Sequence, residues 1–296
     1  MNRFVFIINP KSGLKINTLV ERIILKKASC RNVECCLDYT KEKGDAGYLA
    51  LKYFSEGFNR IICVGGDGTI REIAEVMAGR SGVAIGIVPC GSGNGAARNL
   101  SIPLDIEKAI DLVFDGKIKE IDAGICNCRL FINVCGFGFD AHIAKVFNRN
   151  RVRGLLPYFI HGFFSFFKYK PIKTLVEFDG RREFFMPFVA AVANGRQYGG
   201  GAIISPSSLM DDGLLEFVSV DMASFHYYIK RIHTLFNGDI LKNSFVKHYS
   251  SCSFKIQLPQ KSVYHLDGED FISEDGILRI SVMRKAIKFI VKDEIF

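Results

Sequence analysis

The sequence is short of most of the signatures that would place it outside the ordinary globular class. The uncharged aromatic stretch Gly154–Phe167 has 14 residues and carries Pro157 and His161, too short and too broken for the ~20 apolar residues of a spanning helix. The apolar run before Asn9-Pro10, Phe4–Ile8, has five residues, where a secretory signal would want about 7–15 and a small-residue cleavage site, so export is not expected. The nine cysteines are an odd number, and neither Cys35-Cys36 nor Cys126-x-Cys128 has zinc-ribbon spacing. They read as reduced, mostly buried small hydrophobes. The six histidines are scattered without metal or triad spacing. A Walker A loop, a Gly-x-Gly-x-x-Gly fingerprint and a Gly-x-Ser-x-Gly elbow are all missing, as are internal repeats and low-complexity linkers.

What remains is a 296-residue chain, 48% hydrophobic and 24% charged. That composition excludes disordered, collagenous and coiled-coil classes, and the length suits about two domains. A chain of this size can bury ~75% of its unfolded surface without disulfides. Its 39 basic and 31 acidic side chains give a net charge of +8, which favours polyanions: nucleotide phosphates, nucleic acid or an anionic membrane.

The first third alternates buried strands with helical periods. Phe4–Ile8 and Val83–Val88 are continuously apolar, as is Arg60–Val64 after its first residue, while Ile70, Ile73, Ala74 and Met77 fall on one helix face, a pattern that predicts a parallel sheet covered on both sides. From about Gly124 short strand-like runs dominate, among them Leu130–Val134, Phe184–Ala193 and Leu214–Val220, with turns such as Asp179-Gly180. The expectation is an α/β N-terminal domain over 1–124, completed by 284–296, and a mainly β sandwich over 125–283 with a helical insert at 141–173. In that insert Arg149, Arg151 and Arg153 precede Gly154–Phe167, and Lys168, Lys170 and Lys173 follow it. Aromatics between basic flanks suit a membrane surface, and equally a core helix with solvated ends.

Two glycine-rich loops follow predicted parallel strands: Gly65-Gly66-Asp67-Gly68-Thr69 and Pro89-Cys90-Gly91-Ser92-Gly93-Asn94-Gly95. Glycine allows close backbone approach to phosphate, and the next helix N-terminus offers unpaired N–H groups to an anion. Either loop alone could be a tight turn; together, with an embedded Asp67, they point to a nucleotide.

The string GGDGT, followed by Glu72, resembles the signature of the diacylglycerol kinase catalytic superfamily, shared with NAD kinases and more loosely with phosphofructokinases. Further strings, NPKSG (Asn9–Gly13), Thr40 before Gly44-Asp45-Ala46, PCGSGNGAARNL, GFGFDA, NGRQYGGG, MDDGLL and LDGED, are similar to the bacterial YegS-type lipid kinases, in the same order over nearly the whole chain.

The resemblance implies an ATP-dependent lipid kinase with an NAD kinase-like first domain. Nucleotide would be held by Asn9, Pro10, Lys11, Ser12, Gly13, Thr40, Gly65, Gly66, Asp67, Gly68, Thr69, Ile70, Arg71, Glu72 and Ser92. Glu269 would be the general base toward a lipid hydroxyl, and Mg²⁺ would sit at Leu209, Asp212 and Leu214, where hard oxygen donors suit it. Asp122 would support the catalytic network. The acceptor class implied is diacylglycerol, a sphingoid base or phosphatidylglycerol, in phospholipid metabolism. The enzyme would be cytoplasmic and peripheral on the inner membrane face, with a lipid substrate, at most a second copy of the chain, and no nucleic acid as partners. Arg71 stands where many relatives have asparagine, and Asn94-Gly95 replaces Asn-Asp. An NAD kinase and a catalytically silent, nucleotide-regulated lipid-binding module are the alternatives.

Overall fold

The computed structural model describes residues 2–12, 18–139, 141 and 169–292. Gly13, the aromatic stretch Gly154–Phe167 and most of the expected helical insert lie outside the described residues. The chain divides into two compact units, Met1–Asp122 with Arg284–Phe296, and Ala123–Met283.

In the first unit the strands β1 (Phe4–Ile8), β2 (Cys35–Tyr39), β3 (Arg60–Gly65) and β4 (Ala84–Pro89) alternate with α1 (Thr18–Cys30), α2 (Asp45–Ser55) and α3 (Asp67–Met77). They form a parallel sheet in the order β2-β1-β3-β4. The strands β1 and β4 are buried throughout, as a sheet covered on both faces requires. On α3 the residues Ile70, Ile73, Ala74 and Met77 are all buried, so the helical period is the packing face. Two short helices follow, α4 (Gly95–Asn99) and α5 (Ile106–Asp115). The second starts where the Asp105 carboxylate accepts from the Lys108 amide at 2.9 Å, an N-cap. Register brings Ile8 beside both Tyr39 and Val64, and Gly65 beside Pro89. The carboxyl ends of all four strands therefore lie along one edge of the sheet, and the segments carrying the glycine loops leave from that edge.

The second unit is an antiparallel sandwich. One sheet contains β7 (Val134–Gly138), β10 (Pro187–Ala193), β11 (Leu215–Asp221), β12 (Val246–Ser251), β14 (Ser262–Leu266) and β15 (Glu269–Ser273). The other contains β8 (Thr174–Phe178), β9 (Arg181–Phe185), β13 (Ser253–Gln257) and the start of β16 (Ile277–Val291), with β5 (Lys117–Cys126) and β6 (Arg129–Phe131). The end of β16 pairs with β4 through Phe289 opposite Ile85. The core between the sheets is aromatic: Phe217 lies 5.0 Å from Phe185 and 5.9 Å from Phe254, ring centre to ring centre, with Leu266, Val176 and Ile256 buried around them. Asp179-Gly180, both at positive φ, closes the β8–β9 hairpin as the Asp-Gly pair predicts.

Two runs read as single strands are divided. Leu130–Val134 breaks into β6 and β7 because the amides of Ile132, Asn133 and Val134 all turn to one side chain, the carboxylate of Asp267. Phe184–Ala193 breaks at Met186-Pro187, where the chain leaves the β8 sheet and enters the β11 sheet. Proline has no N–H to continue the first ladder.

Candidate active site

The β1 strand runs into an Asx turn. The Lys11 amide donates to Asn9 Oδ1 at 3.0 Å, and Asn9 Nδ2 donates to Thr69 Oγ1 at 2.9 Å, so the first segment is tied to the first turn of α3. Lys11 Nζ reaches the Lys41 carbonyl at 2.8 Å. Beside it, the Thr40 amide donates to the Ile8 carbonyl at 2.9 Å, and Asp45 Oδ2 accepts from the amides of Lys41 and Glu42 at 2.7 and 3.0 Å. Those two bonds hold the Asp45 carboxyl below the ordinary carboxylate range. Glu72 Oε1 accepts from the Gly44 amide at 3.0 Å. The segments 9–12, 40–44 and 66–72 thus form one connected set.

The two glycine loops touch. A Cβ on Gly91 would stand 2.7 Å from Gly66 Cα, and one on Gly66 would stand 3.2 Å from Gly91 Cα; side chains are excluded there by backbone itself. The second loop is fixed by Asn94 at φ 50°, whose amide accepts from Gly91 N and donates to Gly91 O, both at 2.9 Å. Asp67 bridges the loops, its Oδ1 accepting from the Ala96 amide at 2.9 Å. Gly66 caps α3 in extended conformation and has no side chain to stand between a ligand and the first turn of this 11-residue helix, the end that favours an anion. Gly68 and Ser92 are exposed beside that turn, whereas Thr69, Ile70 and Arg71 are buried. Arg71, read from sequence as a possible phosphate contact, has its guanidinium 3.5 Å from Glu75 one helical turn on. Burial pushes the Cys63 thiol well up and Cys90 to about 11, so neither is a nucleophile here.

In the second unit two of the motif strings, LDGED and NGRQYGGG, are tied to the segment 132–134. The Asp267 carboxylate accepts from the amides of Ile132, Asn133 and Val134 at 2.7, 2.8 and 3.0 Å, while Asn194 Nδ2 donates to the Ile132 carbonyl at 2.7 Å. Asp267 and Gly268 have φ of 49° and 87° and form the two-residue turn between Leu266 and Glu269, which are paired in register. Glu269 is therefore the first residue of β15, half-buried and held by a turn whose carboxylate is anchored to backbone. Sequence did not distinguish the three acids of this cluster; only the long-range bonds of Asp267 do. Asp122, by comparison, is buried and accepts from the Lys285 amide at 2.7 Å.

The turn 209–214 offers oxygen donors. Asp212 is exposed, and its Oδ1 accepts from the Leu214 amide at 2.9 Å; a carboxylate retains further lone pairs beyond one such bond. Just upstream in the chain the hydroxyls of Ser205 and Ser208 are buried without a hydrogen-bond partner. Carboxylate, carbonyl and hydroxyl oxygens are the donor chemistry of Mg²⁺, although no group of three or more His, Cys, Asp or Glu side chains gathers for a metal among the described residues. Elsewhere in this unit a cavity of about 290 Å³ is lined largely by apolar side chains, including Phe137, Ile172, Pro187, Leu258 and Val263.

Residues 3–126 match the diacylglycerol kinase catalytic domain, and residues 133–291 match the YegS C-terminal NAD kinase beta sandwich-like domain. The chain belongs to the family of diacylglycerol kinases and YegS-type lipid kinases. It is 32% identical over 257 residues to the "Probable lipid kinase YegS-like" protein of Enterobacter sp. (strain 638), covering 84% of this chain and 83% of that one. It is 28% identical over 275 residues to the diacylglycerol kinase of Bacillus subtilis (strain 168), covering 91% and 90%. Among solved structures, a diacylglycerol kinase from Bacillus anthracis str. Sterne superimposes with a TM-score of 0.77 at 21% identity, covering 100% and 98%. Yeast NADH kinase shares the fold, with a TM-score of 0.56 at 14% identity over 99% of this chain and 84% of that one. Membership in a kinase family implies a nucleotide as phosphate donor.

Proposed function

We propose that this lipid kinase family member transfers the γ-phosphate of ATP to a hydroxyl of a membrane lipid of the diacylglycerol, sphingoid-base or phosphatidylglycerol class. The observation that carries the nucleotide half is the close contact of Gly66 and Gly91, which joins two phosphate-approachable loops at the N-terminus of α3. In this reading Asn9–Ser12, Thr40, Gly65–Glu72 and Ser92 bind the nucleotide, and Asp67 fixes the distance between the loops. Glu269 takes the proton of the lipid hydroxyl as its oxygen bonds to the γ-phosphorus; the bond from γ-phosphorus to the bridging oxygen breaks and ADP leaves. The Asp267 clamp holds the strand start from which Glu269 projects. When bound, Mg²⁺ supplies charge neutralisation, and Leu209, Asp212 and Leu214 would hold the structural ion. The apolar cavity of the second unit supports an acyl-bearing acceptor. A lipid acceptor calls for an enzyme that meets the inner membrane face peripherally from the cytoplasm; among the described residues no helix is long and apolar enough to cross a membrane.

The matched YegS-type second domain weighs against NAD as acceptor, since the likeness to NADH kinase is one of fold alone. The test is incubation with γ-labelled ATP, Mg²⁺ and a mixed-lipid panel, followed by chloroform extraction, with a parallel reaction containing NAD. Label in the organic phase is expected; label only in aqueous NADP would replace this reading with the NAD kinase one.

A further inference from the structure

In the second unit a helical stretch turns apolar side chains toward solvent. The helix α6 (Phe225–Arg231) buries none of its residues, and Ile232 and His233 stay in right-handed helical conformation as the chain enters α7 (Thr234–Asn237). Ile229, Ile232 and Phe236 follow at i, i+3 and i+7 and are 55%, 48% and 50% exposed. That spacing is one face of a helix. The opposite side is firmly seated. The Tyr228 hydroxyl donates to the Asp221 carbonyl at 2.7 Å, Thr234 is buried and receives Asn243 Nδ2 at 3.0 Å, and Leu235 packs on the cluster of Val134, Ala191 and Val218. The outward apolar face is therefore fixed in place by bonds on its inner side.

The charge around it has one dominant sign. Between Met222 and Lys247 the chain carries Lys230, Arg231, Lys242 and Lys247 against one acid, Asp239, and that acid is paired with Lys242 at 2.6 Å. Lys230 and Arg231 lie within the exposed stretch and make no ion pair among the described residues. Three apolar side chains interleaved with cations are too small a patch for a stable protein interface, which buries about 1,200–2,000 Å². They match an anionic bilayer, where apolar side chains enter the headgroup boundary and cations meet lipid charge.

We propose that the α6–α7 face docks this protein on an anionic bilayer, with Ile229, Ile232 and Phe236 inserting and Lys230 and Arg231 facing the headgroups. The proposal rests on the lipid-substrate reading above, and adds the surface by which such an enzyme reaches its substrate.

The test is co-sedimentation of the full chain with phosphatidylcholine vesicles, with and without phosphatidylglycerol. The variants are Ile229→Ser/Ile232→Ser/Phe236→Ser, Lys230→Gln/Arg231→Gln, and the control Leu25→Ser, an exposed leucine on α1. Each variant is checked for a native thermal midpoint. Binding of wild type is expected to need phosphatidylglycerol and to weaken with salt. Each patch variant should bind on the order of 10-fold more weakly, the scale of a few buried apolar groups or two cations, and the control should bind like wild type. Equal binding of wild type and the folded patch variants would overturn the proposal. So would wild type that ignores vesicles, or a triple variant that loses only a dimer seen by analytical ultracentrifugation. Phosphorylation of lipid in detergent micelles is followed alongside. If wild type phosphorylates no lipid there while the binding difference persists, the enzymatic reading fails and the docking surface stands.

Discussion

Replacing Asp267 by asparagine isolates the clamp on which the placement of Glu269 depends. Asparagine tolerates the left-handed φ of 49° found at this position, so the turn itself is not the perturbation. One amide oxygen can still accept from Asn133 and Val134, now as neutral bonds. The new –NH₂ group, however, faces the Ile132 amide, which donates to the carboxylate at 2.7 Å in the wild type. A donor against a donor costs about 1–3 kcal/mol, and turning two charge-assisted bonds into neutral ones costs about 1 kcal/mol more. Water reaches this half-buried turn, so the net loss should be about 2 kcal/mol, or a thermal midpoint lower by roughly 4 °C in a chain of this size. Because Glu269 follows two residues later, lipid phosphorylation should fall by about 10-fold or more, with nucleotide affinity unchanged. The assays are circular dichroism melting and phosphate incorporation into extracted lipid. A midpoint within about 1 °C of wild type together with full activity would refute the clamp.

The glycine contact gives a contrasting pair. Gly91→Ala puts a Cβ 2.7 Å from Gly66 Cα and should weaken ATP binding by about 10-fold or more while destabilising by about 1–3 kcal/mol. Gly68→Ala meets nothing within 4 Å and should change stability little; calorimetry of both settles whether the loop contact matters. At Asn94, glycine keeps the φ of 50° and loses only the two bonds to Gly91, so Asn94→Gly should cost about 1 kcal/mol and Asn94→Ala about 1–2 kcal/mol more, read from urea midpoints. The depressed Asp45 carboxyl predicts a pH effect. Its contribution to the 40–45 turn is fully present above the ordinary carboxylate range and lost as pH falls through its lower folded value. The Lys41 amide resonance should therefore shift at a pH below that range, and a transition within or above it would contradict the assignment.

Much of the fold was legible because its signals are local. The α3 face of Ile70, Ile73, Ala74 and Met77 appears in the sequence at helical spacing and in the structure as the buried side. The break at Ile132-Asn133 was not legible, since a carboxylate far away at position 267 causes it; the break at Met186-Pro187 carries a local signal in the proline, but which sheet the chain joins next is set by distant strands. The same holds for the candidate site. The glycine spacing located the loops, but not that Gly66 and Gly91 meet. In the cluster Asp267, Glu269 and Asp270 the resemblance points to Glu269 as base, but the anchoring role of Asp267 appears only in its bonds to three backbone amides of residues 132–134. For Arg71 the residue is plain in the sequence, but not its ion pair with Glu75 one turn on. Side-chain competition of this kind carries no signature in spacing.

The central claim is that Glu269 accepts the proton of a lipid hydroxyl during phosphate transfer from ATP. Glu269→Gln keeps the size and the strand position and removes the base. Measured by label from γ-labelled ATP in extracted lipid, the variant should lose at least about 100-fold in rate, the low end of general-base contributions, while ATP affinity by calorimetry stays at the wild-type value. Undiminished label in the lipid fraction of the folded Glu269→Gln protein would contradict the account.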